Sequence, residues 1–134
     1  MISLESLFLK VKISALWFFT AIAMLAHSVV FFMEPGAIQQ VMTGIIEGWE
    51  MGPGMLFFMA VIFLVPLVMA LLSLILSDSS NRPLNIILGT IFTGLNIFDF
   101  IGHLAHPSAH ALLLVGSTIV VTILIVWYAW KWPK

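Results

Sequence analysis

The four histidines are the residues with the clearest chemical potential in this very apolar sequence. Three of them lie in the stretch HLAHPSAH, residues 103–110, and the fourth is His27. Neutral imidazole is the commonest protein ligand for transition metals, and imidazole also exchanges protons near physiological pH. The histidines therefore suggest a metal site, a haem site or a group that carries protons.

A polar stripe runs along the segment that ends in HLAHPSAH. Its members are Asn85, Gly89, Thr93, Asn96, Asp99 and His103, which share one face of a helix. Polar side chains go unsatisfied in lipid, so we expect this face to point into a bundle or a watery cavity. A charged Asp at a helix centre costs roughly 2.5–3.5 kcal/mol on insertion scales. His103, one turn after Asp99, is placed to accept or share its proton.

Two further histidines are predicted to lie at about the same depth in the bundle as Asp99 and His103. His27 lies six residues before the end of the first apolar run, about 9 Å deep and comparable with Asp99. If His106 caps the last helix, His110 follows one turn later on the same face. The predicted ligand or proton pocket consists of Thr93, Asn96, Asp99 and His103. The candidate metal or haem ligands are His27, Asp99, His103, His106 and His110.

Composition places these residues in a membrane protein. Of the 134 residues, 62% are hydrophobic and 8% are charged, against about 45–50% and about 25% in ordinary soluble domains. The net charge of -1 and the five scattered Lys and Arg residues make no nucleic-acid-binding patch. Cysteine is absent, which excludes disulfides, iron–sulfur ligation and thiolate chemistry. A metal would need His, carboxylate or Met ligands.

Four apolar runs are long enough to cross roughly 30 Å of hydrocarbon as helices. They cover residues 13–33, 55–76, 84–104 and 108–130 of a single integral membrane domain, residues 1–134. Pro66 predicts a kink or a packing site in the second run, and Pro83 stands at a plausible first helical position of the third. Pro107 and Ser108 leave almost no loop, so the last two runs are expected to form a tight helical hairpin.

The segment between the first two runs, GAIQQVMTGIIEGWE, is too short and too polar to cross a membrane. Its apolar residues repeat with the period of one helical face, which is typical of a short helix lying in the membrane interface. These residues are Ile38, Val41, Met42, Ile45, Ile46 and Trp49. The predicted fold is therefore all-α, a four-helix transmembrane bundle with a short interfacial helix between spans 1 and 2.

Basic residues predict the orientation of this bundle. With four crossings, one end receives all five of them, Lys10, Lys12, Arg82, Lys131 and Lys134. The positive-inside rule places that end and both termini in the cytoplasm, with the chain in the cell membrane. The opposite, extracytoplasmic side receives Glu34, Glu47, Glu50 and the turn HLAHPSAH.

Three classes of function fit these features. In the first, the pocket binds or helps to move a small ligand, a metal ion or a proton, with Asp99 and His103 as a titratable pair. In the second, one haem b or a quinone occupies the same place in an electron-transfer protein. In the third, Asp99 and His103 only satisfy each other in a structural subunit of a larger membrane assembly.

Other sequence features bear on activity and partners. There is no HExxH motif and no sign of an activated nucleophile, which favours a non-enzymatic function. A chain of 134 residues is short for a complete transport path. We therefore expect a homo-oligomer or a partner in a membrane complex, besides the lipid bilayer itself.

Four segments resemble a known family. VKISALW, MEPGAIQQVMTG, SSNRPLNIILG and WYAWKWP are similar to the corresponding segments of small four-span prokaryotic membrane proteins classed only as a domain of unknown function. The resemblance covers nearly the whole chain in order. It implies a four-helix bundle with both ends inside, and it assigns no functional residues because the family has no established activity.

Overall fold

Five α-helices and one small β-hairpin make up residues 3–133, the part of the chain that this computed structural model describes. The helices are α1 (Leu4–Phe31), α2 (Ala37–Thr43), α3 (Pro53–Ile75), α4 (Asp78–Ala105) and α5 (Ala109–Trp130). The hairpin strands are β1 (Ile45–Ile46) and β2 (Trp49–Glu50). Helices α1, α3, α4 and α5 are long and apolar enough to cross a membrane. The predicted all-α four-helix bundle is confirmed.

The four long helices pack in the order α3, α1, α5, α4. Helix α1 packs against α3 and α5, and α5 packs against α4. Helices α3 and α4 contact each other only sparsely. Their hydrogen bonds lie close to the turn that joins them, where the Asn81 amide donates to the carbonyls of Ser73 and Leu76, each at 3.0 Å. The side between α3 and α4 is therefore the least closed side of the bundle.

A buried hydrogen-bond network joins α1, α3 and α4. Trp17 Nε1 donates to Asn85 Oδ1 at 2.6 Å, and Ser73 Oγ donates to the same oxygen at 3.4 Å. All three side chains are buried. Helices in lipid gain no hydrophobic driving force from contact with each other, so bonds of this kind contribute about 0.6–2 kcal/mol each to their association.

A glycine permits the close packing of α4 on α5. A Cβ atom at Gly89 would lie 2.8 Å from Cγ2 of Val126 and 3.3 Å from Cγ2 of Ile125. Small residues at such positions let two helix backbones approach each other. Gly89 therefore belongs to the polar stripe for a packing reason rather than a chemical one.

Helices α1 and α4 begin well before the apolar runs indicated, and α3 begins slightly before. Helix α1 starts at Leu4 because the Ser3 side chain caps it, accepting from Ser6 N at 3.1 Å. Helix α4 starts at Asp78, so Pro83 lies inside the helix and its predicted place at the first helical position was wrong. The proline ring removes one backbone hydrogen bond there. An apolar period identifies only the part of a helix that is covered by lipid or by the core. The polar first turns of α1 and α4 do not show this period, so the predicted starts were too late.

The short helix predicted between the first two spans is present as α2, but it is shorter than the apolar period suggested. Gly44 ends it with φ of 77°, and Glu47 and Gly48 follow with φ of 50° and 85°. Glu47 and Gly48 form the two-residue turn between β1 and β2, where positive φ at both positions matches the twist of a hairpin. A continuous helix cannot hold these left-handed residues, so the segment folds back on itself.

Candidate functional site

Three of the predicted residues come together at one end of the bundle. One ligand atom from each of His27, Asp99 and His103 lies within 4.8 Å of the others. The rings of His27 and His103 meet edge to face, with centroids 5.1 Å apart and planes at 88°. His103 Nε2 lies 3.5 Å from Asp99 Oδ1. We call these three residues the His/Asp group, and the end of the bundle that carries it the histidine end.

The helices position this group through simple geometry. Asp99 and His103 lie one turn apart on the same face of α4, in its last two turns. His27 lies in the last turns of α1, which ends at Phe31. Helices α1 and α4 are diagonal in the bundle, so the side chains of the group meet across its interior.

One ring nitrogen of each histidine in the group lacks a hydrogen-bond partner among residues 3–133. These atoms are His27 Nδ1 and His103 Nε2, and both are buried. The side chain of His103 is 11% exposed, whereas that of Asp99 is 48% exposed. Buried polar atoms are normally satisfied, and those that are not often mark a place for water, an ion or a ligand. These two nitrogens are therefore candidates for binding a ligand that the group itself does not supply.

Two cavities meet at the His/Asp group. The first, of about 660 Å³, we call the polar vestibule, and its polar lining residues are Glu34, Gln40, Glu47, Asp99, His103, His106 and Ser108. The second, of about 520 Å³, we call the apolar cavity, because most of its lining is apolar; its polar lining residues are His27, Ser28, Glu47, Asn96, Asp99 and Thr118. Asp99, Glu47 and Phe31 line both cavities. Asp99 therefore lies at the boundary between the polar vestibule and the apolar cavity.

The β-hairpin lies against both cavities. Glu47 in its turn lines the two cavities, Ile46 lines the apolar cavity and Trp49 lines the polar vestibule. Glu47 adopts φ of 50°, which costs a non-glycine residue on the order of 1 kcal/mol or more. Its backbone N–H donates to Gln40 Oε1 at 2.9 Å. A side chain of α2 thus holds the strained turn beside the site.

The remaining histidines lie outside the His/Asp group. His110 Nε2 lies 2.6 Å from Glu34 Oε1, a pair that joins the start of α5 to the segment after α1. His106 is exposed and lines the polar vestibule. The structure therefore does not bring all of the predicted ligands to one point.

The two other predicted pocket residues have separate surroundings. Asn96 is 8% exposed, and its Nδ2 has no partner in the described part of the chain. Thr93 is half-buried and donates to the Gly89 carbonyl at 2.7 Å. It lies at a different groove, beside Trp127 and Trp130. Asn96 lines the apolar cavity, whereas the Thr93 hydroxyl donates its hydrogen bond within its own helix.

Glu34 and Glu47 contribute to the site but were not among the predicted site residues. Glu34 precedes Pro35-Gly36, and Glu47 precedes Gly48. Pro-Gly is a strong turn signal, whereas the single glycine after Glu47 is a weaker one. The helical period of the intervening segment hid the hairpin that brings Glu47 to the two cavities.

Charge is separated along the bundle. Glu34, Glu47, Glu50 and Asp99 lie at the histidine end. Lys10, Lys12, Arg82 and Lys131 lie near the opposite end, which also carries Glu5 and Asp78 but keeps a net positive charge. A concave region lined by one sign of charge concentrates ions of the other sign. The histidine end is thus suited to cations.

Comparison with known proteins agrees with the resemblance seen in the sequence. The profile of a family of unknown function (DUF6326) matches residues 8–134. No curated protein and no solved structure gave a match. These comparisons assign no activity, so function has to be argued from the site.

Proposed function

The chain belongs to this family of unknown function, and we propose that it is an integral membrane protein that binds a divalent transition-metal ion at the His/Asp group. The observation that carries the proposal is the convergence of two imidazoles and one carboxylate, with ligand atoms within 4.8 Å of one another. Ligands about 2.0–2.2 Å from a zinc-like ion lie roughly 3–4 Å apart. Small side-chain rotations would bring the three atoms to those separations.

The donor set determines the kind of ion. Two nitrogens and one oxygen suit Zn²⁺, Fe²⁺ or Mn²⁺, whereas Ca²⁺ and Mg²⁺ prefer oxygen ligands alone. Three protein ligands also leave at least one coordination position open, in contrast to the closed sites that serve only structure. An ion held in this way exchanges with its surroundings, which fits binding or transport better than permanent stabilisation.

The polar vestibule supplies an approach for the ion. Glu34, Glu47 and Asp99 line it, and carboxylates in a concave site raise the local concentration of cations. In our proposal the basic end and both termini face the cytoplasm, following the positive-inside rule. The vestibule then opens on the extracytoplasmic side of the cell membrane, and Asp99 receives the ion from it.

Haem ligation by His27 and His103 is not supported by this geometry. A haem held by two histidines must lie between their rings, but the His27 and His103 rings are in edge-to-face contact at 5.1 Å. A macrocycle has no room between them in this arrangement. The His/Asp group therefore favours a bare ion.

A purely structural role makes a different prediction from metal binding. If Asp99 and His103 only form hydrogen bonds with each other, replacing both with leucine leaves folding and assembly intact and removes no bound ion.

Self-association belongs to the proposal as well, because a transport path needs more than one bundle of this size. Chemical cross-linking in the membrane would test it.

Metal titration and elemental analysis of detergent-purified protein test the main proposal. The wild type should bind about one Zn²⁺, Fe²⁺ or Mn²⁺ per chain. His27→Ala and His103→Ala should each weaken binding by more than the roughly 10–100-fold that loss of an outer partner costs. His106→Ala is the matched control, since His106 lies outside the His/Asp group, and it should bind like the wild type. Equal losses in all three variants, or no binding by the wild type, would contradict the proposal.

A further inference from the structure

The apolar cavity contains a polar group that the proposed metal site does not use. Asn96 is 8% exposed, lines this cavity, and leaves its Nδ2 without a partner in residues 3–133. An unpaired amide in an apolar wall is unfavourable unless something that enters the cavity satisfies it. Asn96 therefore marks the point where a ligand would place a polar atom.

The other walls of the cavity suit a flat ring. They include Met24, Phe31, Met51, Phe58, Met59 and Phe63. Aromatic faces and flexible thioethers pack well against planar groups. The volume of about 520 Å³ lies within the range of about 300–1,000 Å³ that is usual for small-molecule sites. The cavity is large enough for a substituted ring and the beginning of a tail.

Exposed apolar side chains line part of the cavity. Leu25, Phe32 and Phe58 line it and are each about half exposed. Helix α3 supplies one wall and α4 another, and these two helices contact each other only sparsely. A molecule dissolved in lipid could therefore enter from the side, without passing the polar vestibule.

The depth of Asn96 in the membrane limits which chemical groups can reach it. Helix α4 spans Asp78–Ala105, and Asn96 lies between four and five residues beyond its midpoint, about 7 Å along the axis. If the helix crosses the membrane as proposed above, this position is inside the roughly 30 Å hydrocarbon core. Charged phospholipid headgroups stay at the interface, so the group that reaches Asn96 must be polar but uncharged.

We propose that the apolar cavity binds a lipid-soluble quinone. One ring carbonyl accepts a hydrogen bond from Asn96 Nδ2, the ring packs against the aromatic and methionine side chains, and the tail leaves toward lipid. A carboxamide also offers an acceptor oxygen, so the hydroxyl of the reduced quinol can donate to Asn96 Oδ1. The proposal concerns binding of either form. It rests on the membrane placement in the proposed function and is independent of the metal.

Equilibrium binding of a short-tailed ubiquinone analogue to chelator-treated protein in detergent tests this inference. The wild type should show saturable binding of about one molecule per chain. Asn96→Leu should weaken it about tenfold, as expected for the loss of one hydrogen bond. Leu114→Trp, which fills the cavity from α5, should weaken it independently. Thr90→Leu is the matched control, because Thr90 lies on α4 but outside the cavity and bonds its own helix at Ile86.

Two outcomes would overturn the inference. Uptake that never saturates, and that wild type and Asn96→Leu share, would mean partition into the micelle alone. Equal competition by a monoacylglycerol with a tail of similar length would mean that the cavity takes an acyl chain and does not select the ring.

Failure of this inference can be told apart from failure of the proposed function. Asn96→Leu should bind metal like the wild type. Quinone binding without metal binding would refute only the metal site, and metal binding without quinone binding would refute only the inference. Release of the protein from membranes by alkaline carbonate would remove the membrane placement on which the inference rests.

Discussion

His27 meets His103 edge to face at a centroid distance of 5.1 Å, and this contact joins two helices that lie diagonally in the bundle. His27 Nδ1 and His103 Nε2 have no hydrogen-bond partner in the described part of the chain. A metal ion bound by both rings would replace this contact with two coordinate bonds. At the proposed site, metal binding would therefore be coupled to the stability of the bundle.

This coupling predicts that metal raises the unfolding temperature. A ligand at about 100 times its Kd stabilises the folded state by about 2.7 kcal/mol, which shifts Tm by about 5 °C or more in a chain of this size. The measurement is thermal unfolding of purified protein with and without Zn²⁺. His106→Ala should show the wild-type shift and His27→Ala should show none. A shift that persists in His27→Ala would place the ion elsewhere.

Metal affinity should fall as the pH is lowered. Imidazole ligates only in its neutral form, so each protonated histidine of the His/Asp group competes with the ion. Measured from about pH 7 down to about pH 5, the affinity should drop by up to about 100-fold per pH unit, because two protons then compete with one ion. Titration calorimetry at several pH values measures this slope. An affinity that stays constant over this range would exclude histidine as a ligand.

Gly89 provides a test of the packing that holds α4 against α5. Gly89→Ala should destabilise the bundle by about 1–3 kcal/mol, because its Cβ would lie 2.8 Å from Val126 Cγ2 and the helices must shift. Gly94→Ala on the same helix is the control, since nothing lies within 4 Å of its added Cβ. It should be neutral or stabilising by up to about 1 kcal/mol. Denaturant unfolding in detergent measures both, and equal effects would contradict the proposed close approach.

The fold follows from simple features of the sequence. Four long apolar runs predict the four helices that could span a membrane, because length and hydropathy are enough for that purpose. The period of the polar stripe predicts that Asn85 and Asn96 share a buried face, and the structure buries both. Periodicity is informative here because one face of each long helix packs against the other helices and the opposite face does not.

The details of the site depend on contacts that no local pattern encodes. The distance from His27 to Asp99 is set by how α1 packs against its neighbours. Counting residues from the helix ends predicts only that the two side chains lie at a similar depth in the bundle. His110 could have joined the histidines, but Glu34 binds it instead. The hairpin around Glu47 arises from left-handed backbone at the turn, which a helical apolar period conceals.

Single-cysteine labelling can decide the orientation, because the natural chain contains no cysteine. Ala105→Cys reports on the histidine end and Ser79→Cys on the basic end, and both positions are exposed. A membrane-impermeant maleimide should label Ala105→Cys in intact cells and should label Ser79→Cys only after permeabilisation. The physical reason is that the loops rich in Lys and Arg stay in the cytoplasm. The reverse pattern would turn the polar vestibule toward the cytoplasm, and the metal would then have to reach Asp99 from inside the cell.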